Sequence, residues 1–262
     1  MSVGLSLAID GCVGMAHDWG MARTQISFLT GDSRVVGSFG DAAALCQSDA
    51  SGTVGRCDIA EIRLDILVAE GAEPRRALWQ HLAAVPLLFT ARCADEGGAL
   101  ALDAAQRSGL LVAVLDDAAA IDVEVASRDA LHDVLAEARS RGIPWVASFH
   151  DFAKLPETSV LAEAAQQARA AGAAVFKVAA KLNGPADVLR LAEFQLSEQG
   201  LPLATMGMGP LAPASRLFCA QCGSVLNYGY LGATATAPGQ WDSGLLKQAI
   251  TRSPRWARPA GP

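Results

Sequence analysis

From about residue 34 onward, short β-rich runs that end in polar residues alternate with Ala-, Leu- and Glu-rich stretches whose apolar positions recur at helical spacing. The runs Arg34–Gly37, Ile59–Leu64, Pro86–Thr90, Ile121–Val125, Pro144–Phe149, Val175–Ala179, Pro202–Met206 and Leu226–Gly229 read as strands. Between and after them, Glu73–Ala84, Leu102–Leu115, Arg128–Arg141, Glu157–Ala171, Pro185–Gln199, Ala212–Gln221 and Ser243–Ile250 read as helices. Pro185 suits a first helical turn, and Gly142, Gly172 and Gly200 each follow a helical run just before a strand, where a left-handed cap is needed. Eight strands with intervening helices predict an α/β fold, a single-domain (β/α)8 TIM barrel over residues 34–252. The first β/α unit is short, with only Asp41–Gln47 as a crossover helix and Ser48–Gly55 read as a loop. Residues 1–33 fit no barrel element and read as an N-terminal extension of uncertain structure, an interface arm or a segment of uncertain start; the Pro- and Arg-rich stretch 253–262 reads as a frayed tail.

Composition narrows the class without changing the fold. Of the 262 residues, 51% are hydrophobic and 18% charged, which suits a compact chain with a large buried core. A net charge of -6 supplies no broad basic field, so neither nucleic acid nor an anionic membrane surface is an expected partner. An anionic small molecule remains compatible, because a few local arginines outweigh distant carboxylates that salt screens within about 10 Å. Six cysteines are spread too thinly for a disulfide scaffold, and neither a membrane-spanning run nor a basic-flanked leader is present; these features predict a cytoplasmic protein.

In such a barrel, reactive groups stand at the C-terminal ends of strands and in the loops that follow. Glu61 and Arg63 alternate along the second strand and face the same side, with Asp65 continuing the parity; the trio reads as a structural ion network or a polar site. Ser148 and His150 end strand five in the same way, and a strand-terminal His is a candidate proton carrier. Lys177 lies among apolar and small residues in AAVFKVAAK, where burial opposes its charge. Desolvation and a nearby cation such as Arg63 would free its amine for attack on a carbonyl. Lys181, expected just outside the strand, reads as an ordinary solvated lysine.

Seven strings fall in order at strand ends or the next loop: EIRLD at 61–65, FTARCADEGG at 89–98, IDVEV at 121–125, SFHDF at 148–152, FKVAA at 176–180, TMGMGPLAPASR at 205–216 and TAPGQ at 236–240. Together they resemble the type I 3-dehydroquinate dehydratases over roughly Val35 to Trp241. The resemblance implies a hydro-lyase of the shikimate pathway, serving chorismate and aromatic amino acid synthesis, that removes water from 3-dehydroquinate without a cofactor and works as a cytoplasmic homodimer. It implies that Lys177 forms an imine with the C3 ketone, that His150 takes the C2 proton and returns one to the departing C1 hydroxyl, and that Glu96 holds the second ring nitrogen. It further implies substrate contacts from Glu61, Arg63, Arg92, Arg216, Thr236 and Gln240, with Arg216 gripping the carboxylate and the Gly232–Gln240 loop closing as a lid. Without the resemblance, Arg92 and Gln240 read as surface residues and Glu96 as a loop carboxylate. Departures from the family pattern are Thr236 for a usual serine, Gly207 where serine is common, Ala212 for a glycine and Ile62 for an aromatic residue.

Competing readings are a class I aldolase, which shares the barrel and the imine but needs a phosphate site, and a barrel that binds a quinate-like metabolite without turnover. Cys219 and Cys222 lack a second ligand pair for zinc, and packing on one helical face is the preferred reading. His17–Asp18 gains no support from spacing. No phosphate loop or dinucleotide fingerprint is present, so no nucleotide cofactor is expected.

Overall fold

The computed structural model describes residues 25–253. Expectations about residues 1–24, including His17–Asp18, and about the tail beyond 253 lie outside the described residues. Eight parallel strands run in the order β7-β6-β5-β4-β3-β2-β1-β8: β1 Arg34–Phe39, β2 Ile59–Arg63, β3 Leu87–Thr90, β4 Ala120–Glu124, β5 Trp145–Asp151, β6 Val175–Lys181, β7 Leu203–Met208 and β8 Leu226–Leu231. The helices are α1 Ala42–Gln47, α2 Ala50–Arg56, α3 Leu64–Ala69, α4 Ala104–Ala113, α5 His132–Ser140, α6 Thr158–Ala170, α7 Pro185–Leu196, α8 Ala212–Gln221 and α9 Ser243–Arg252. The result is a nearly closed (β/α)8 barrel, as the alternation predicts. At the remaining seam β7 and β8 share no ladder, but the Val225 N–H, just before β8, donates to the Leu203 carbonyl at 3.0 Å. No described helix is long and apolar enough to cross a membrane.

Two apolar layers hold the barrel. Outward-facing strand residues such as Phe89, Ile121, Ala147 and Phe176 pack under the helices, with Phe89 meeting Trp79 edge-on and Phe176 meeting Phe194 likewise. Inside, Val36, Ile59, Leu88, Ala120, Val146, Val175, Ala204 and Leu226 fill the N-terminal end of the barrel. Phe28 joins that inner layer with Ile26 packed against it, so these two residues of the segment before β1, unassigned from sequence, cover the bottom of the barrel. Polar chemistry is thereby confined to the opposite, C-terminal end.

Several local expectations are corrected. Glu73–Ala84 is no helix but carries two single 3-10 turns, Arg76–Leu78 and Gln80–Leu82. Trp79 lies between them with φ -132° and ψ -1°, held out of helical geometry by burial of its ring and by an indole N–H donated to Asp117 at 2.9 Å. Leu64 belongs to α3 rather than to β2, because Leu64, Asp65 and Leu67 are buried on one helical side. The expected loop 48–55 contains α2, despite two glycines. Asp49 caps its start by accepting from Gly52 N–H at 2.7 Å, and Lys247 of α9 donates to the Val54 and Cys57 carbonyls at 3.0 Å each at its other end. Lys181 is the last residue of β6, not outside it, though exposed. Gly142, Gly172 and Gly200 have φ of 66°, 80° and 73°, the left-handed caps that the sequence predicts.

Candidate active site

At the C-terminal end of the barrel a single pocket is lined by Glu61, Arg63, Arg92, Glu96, His150, Lys177, Arg216, Thr236 and Gln240, the nine residues singled out from sequence, together with Ser38, Phe152, Met206, Met208 and Tyr228. Strand pleating explains the convergence, since Ser38, Glu61, Arg63, His150, Lys177, Met206 and Tyr228 sit on alternate, inward-pointing positions.

Lys177 is buried at the centre. Its Nζ donates to Asp122 Oδ2 at 2.9 Å and stands 4.3 Å from the centroid of the Tyr228 ring. Burial pushes the amine pKa down, the Asp122 charge pulls it back, and the Arg92 guanidinium lowers it again. Arg92, rather than Arg63, is therefore the main cation acting on this lysine. Asp122 is shared: its Oδ1 pairs with Arg92 at 2.9 Å and accepts from Ser148 Oγ at 2.6 Å. Burial opposes the Asp122 charge, yet Arg92 and Lys177 outweigh it and hold the carboxyl at about 2. Lys177 consequently faces a carboxylate already half-satisfied by another cation, a weaker hold on the ammonium than an undivided pair would give.

Arg92 is a fully interior residue, which overturns its reading as a surface arginine. It also donates to Glu124 Oε1 at 2.9 Å and to Ser148 Oγ at 2.6 Å. The far oxygen of Glu124 pairs with buried Arg107, whose Nε donates to the Ala91 carbonyl at 2.7 Å. This chain of alternating charges satisfies each ion that the barrel removes from water.

His150 is the penultimate residue of β5, beside the loop after β3. Glu96 Oε2 accepts from the His150 backbone N–H at 2.9 Å and lies 2.8 Å from its Nδ1. With Glu96 ionised, its Oε2 accepts from both the main-chain N–H and Nδ1–H, the tautomer that leaves Nε2 as a bare acceptor. Burial, with Arg92, Lys177 and Arg63 nearby, pushes the His150 pKa well below its ordinary value, so the ring is neutral near pH 7. Burial raises Glu96 to about 7, Arg92 opposing and Glu124 reinforcing the rise. Glu96 is thus no surface carboxylate.

The raised Glu96 value has a stability consequence. A carboxyl whose pKa is higher folded than unfolded favours the fold below its ordinary value of 4.5, and that contribution is lost as pH rises through about 7. Glu96→Gln, which carries no charge to bury, is expected to raise the melting temperature more at pH 8 than at pH 5. Thermal denaturation at the two pH values checks this, and an equal shift at both would show that charge burial is not the cause.

The Glu96 loop is tied to β2 through Asp65. Arg63 donates Nε and Nη2 to the two Asp65 oxygens at 2.8 and 2.6 Å, and Nη2 also reaches the Gly97 carbonyl at 3.1 Å. Asp65 further accepts from Ala99 N–H at 2.9 Å and Arg92 N–H at 3.2 Å. Burial works against the Asp65 charge, but Arg63 and these backbone donors hold its pKa below the usual carboxylate value. Glu61 accepts from Thr90 Oγ1 at 2.8 Å and from Ser38 Oγ. The Glu61–Arg63–Asp65 trio accordingly divides: Glu61 and Arg63 line the pocket, while Asp65 clamps the loop behind it.

Arg216 enters where the barrel is unpaired. From α8 its Nη1 donates to the Tyr228 carbonyl of β8 at 2.7 Å and touches Met206 Sδ of β7 at 3.5 Å, while its buried Nε has no hydrogen-bond partner. Burial lowers its pKa to about 10. Among the described residues no carboxylate pairs with it, so a buried, pocket-lining guanidinium is left without a counter-charge, a demand that a bound anion meets.

The loop after β8 closes on itself. Gln240 Oε1 accepts from Thr236 N–H and Oγ1 at 2.8 Å each and from Ala237 N–H at 3.2 Å, which leaves the amide Nε2 as the group available to a ligand. Gly239, at φ 73°, lies so close to the Gly209 carbonyl that a Cβ would fall 2.3 Å from it. Among the departures, Gly207 is crowded by side chains rather than by backbone, since a Cβ there would lie 2.3 Å from Ser215 Oγ and 2.4 Å from Leu182.

Asp122, Ser38 and Tyr228 were missed from sequence. The first could have been found, because Asp122 and Glu124 alternate as Glu61 and Arg63 do. Nothing in the chain marks Tyr228, whose importance lies in its contact across the barrel. Cys219 is buried in α8, where its thiol is pushed up to about 12, and Cys222 caps that helix.

Comparison with known proteins agrees with this geometry. Residues 41–253 match the family model of type I 3-dehydroquinase. A 3-dehydroquinate dehydratase of Haloquadratum walsbyi is 34% identical over 220 residues, covering 80% of this chain and 89% of the relative. One of Albidiferax ferrireducens is 38% identical over 195 residues, covering 70% and 74%. The crystal structure of 3-dehydroquinate dehydratase from Geobacillus kaustophilus superposes with a TM-score of 0.76 at 25% identity, covering 88% of this chain and 96% of that one. With a barrel of this form, a buried lysine and a carboxylate-held histidine in one pocket, and these matches, the chain belongs to the type I 3-dehydroquinase family.

Proposed function

We propose that the protein converts 3-dehydroquinate to 3-dehydroshikimate and water through an imine on Lys177. The observation that carries this reading is the Lys177 amine, buried and lowered in pKa, in one pocket with His150, whose Nε2 is left bare by Glu96. Lys177 adds to the C3 ketone, and the resulting iminium withdraws electrons so that a C2 proton becomes acidic. His150 takes that proton at Nε2 and, as imidazolium, returns it to the C1 hydroxyl, which leaves as water. One ring serves both steps because Glu96 stabilises the imidazolium formed between them. Hydrolysis of the imine frees product and lysine, and protein groups alone supply the acid, the base and the electron sink.

Arg216 is the group for the ring carboxylate, given its unpaired Nε, and Glu61, Arg63 and Arg92 are placed for ring hydroxyls and the region around the imine. Thr236 and Gln240 complete the enclosure, the loop opening to admit substrate and closing to exclude water. A role in the shikimate pathway, a homodimeric state and a cytoplasmic location belong to the same proposal.

Growth of the conjugated-enone absorbance of the product on mixing with 3-dehydroquinate tests the reading directly. Turnover is the expected result. Binding without any rise in absorbance at high protein concentration would favour a metabolite-binding barrel, and inhibition by phosphates but not by carboxylates would favour a class I aldolase.

A further inference from the structure

Tyr228 points inward from β8, and its ring lies against the reactive amine, with Lys177 Nζ 4.3 Å from the centroid. The side chain is buried and lines the same pocket, but its hydroxyl has no hydrogen-bond partner. An unpaired phenol in the interior costs stability that a phenylalanine of the same shape would not. Neighbouring carboxylates do not relieve it. Glu61 is engaged by Ser38 and Thr90, and Asp122 by Ser148, Arg92 and Lys177. Burial, with those two carboxylates nearby, holds the phenol protonated far above its ordinary value, so Oη retains its proton throughout the working range. A residue that lines the pocket, its ring against the attacking nitrogen, therefore carries an unspent donor.

We propose that Tyr228 Oη donates a hydrogen bond to the substrate oxygen on the carbon that Lys177 attacks, an inference that rests on the imine reading above. As the nitrogen lone pair forms the N–C bond, the carbonyl π pair moves onto that oxygen, and the phenol O–H meets the charge as it develops. Net formation of the iminium balances within the site: ammonium plus ketone gives iminium plus water, two ammonium protons leaving on the oxygen and one remaining on nitrogen. Tyr228 keeps its own proton and acts only as a donor. The hydroxyl thus favours the tetrahedral adduct over the planar ketone.

The test uses the full-length protein and Tyr228→Phe, each mixed with 3-dehydroquinate and quenched into borohydride at successive times, with the reduced adduct on Lys177 quantified by mass. At saturating substrate the variant is expected to form adduct roughly ten- to a hundredfold more slowly. Its KM should change little, and its melting temperature should equal or exceed that of the wild type, because phenylalanine leaves no unpaired hydroxyl. Adduct formation at the wild-type rate overturns the proposal and leaves the imine intact. A marked fall in melting temperature also overturns it, since the hydroxyl would then serve the fold. A wild-type protein that never forms adduct removes the imine reading and this inference with it.

Discussion

Lys177→Ala is expected to lower turnover of 3-dehydroquinate by at least about 10⁴-fold and to abolish the borohydride-trapped adduct, because no other group in the pocket can supply the covalent electron sink. Its fold should survive. Asp122, the carboxylate left behind, keeps Arg92 at 2.9 Å and Ser148 at 2.6 Å, so removal of the lysine does not strand a buried charge. Substrate should still bind, since Arg216 and the Glu61–Arg63 face are untouched. Enone absorbance, intact mass after borohydride and calorimetric binding together check the three expectations. Turnover within tenfold of wild type, or an adduct that moves to exposed Lys181, would sink the covalent assignment.

The contrast between Lys177 and Lys181 also shows what the sequence made legible. Both lie on β6 four residues apart, yet apolar neighbours on both sides mark only the first as buried. The same local logic, strand alternation plus position at a strand end, finds Glu61, Arg63 and His150. It fails for Arg92, which follows β3 in a loop and turns inward only because Asp122, Glu124 and Ser148 from two other strands receive it. It fails again for Trp79, where one ring docking on Phe89 and Asp117 replaces an expected helix by two short turns. Residue-level polarity and period are visible in a chain, whereas partners recruited from across a barrel are not. The lysine could be read, but the division of its counter-ion between two cations could not.

His150→Ala should separate the two halves of the chemistry. The imidazole is assigned to proton transfer after the imine exists, so turnover is expected to fall by roughly 10²–10⁴-fold while the Lys177 adduct still forms and is trapped by borohydride. Structural damage should be slight, because Glu96 Oε2 continues to accept the main-chain N–H at position 150. Added imidazole, small enough for the vacated space, should restore part of the rate. The pH dependence of the wild type follows from the same geometry. A ring held well below its ordinary pKa by burial and by Arg92, Lys177 and Arg63 is neutral at pH 7, and the base form is lost only when pH falls through that lowered value. His150→Ala should remove this acid-side loss from whatever rate remains. An alanine variant that binds substrate but never accumulates the adduct would move His150 back to imine formation, where it would be the carrier of the protons that Lys177 must shed.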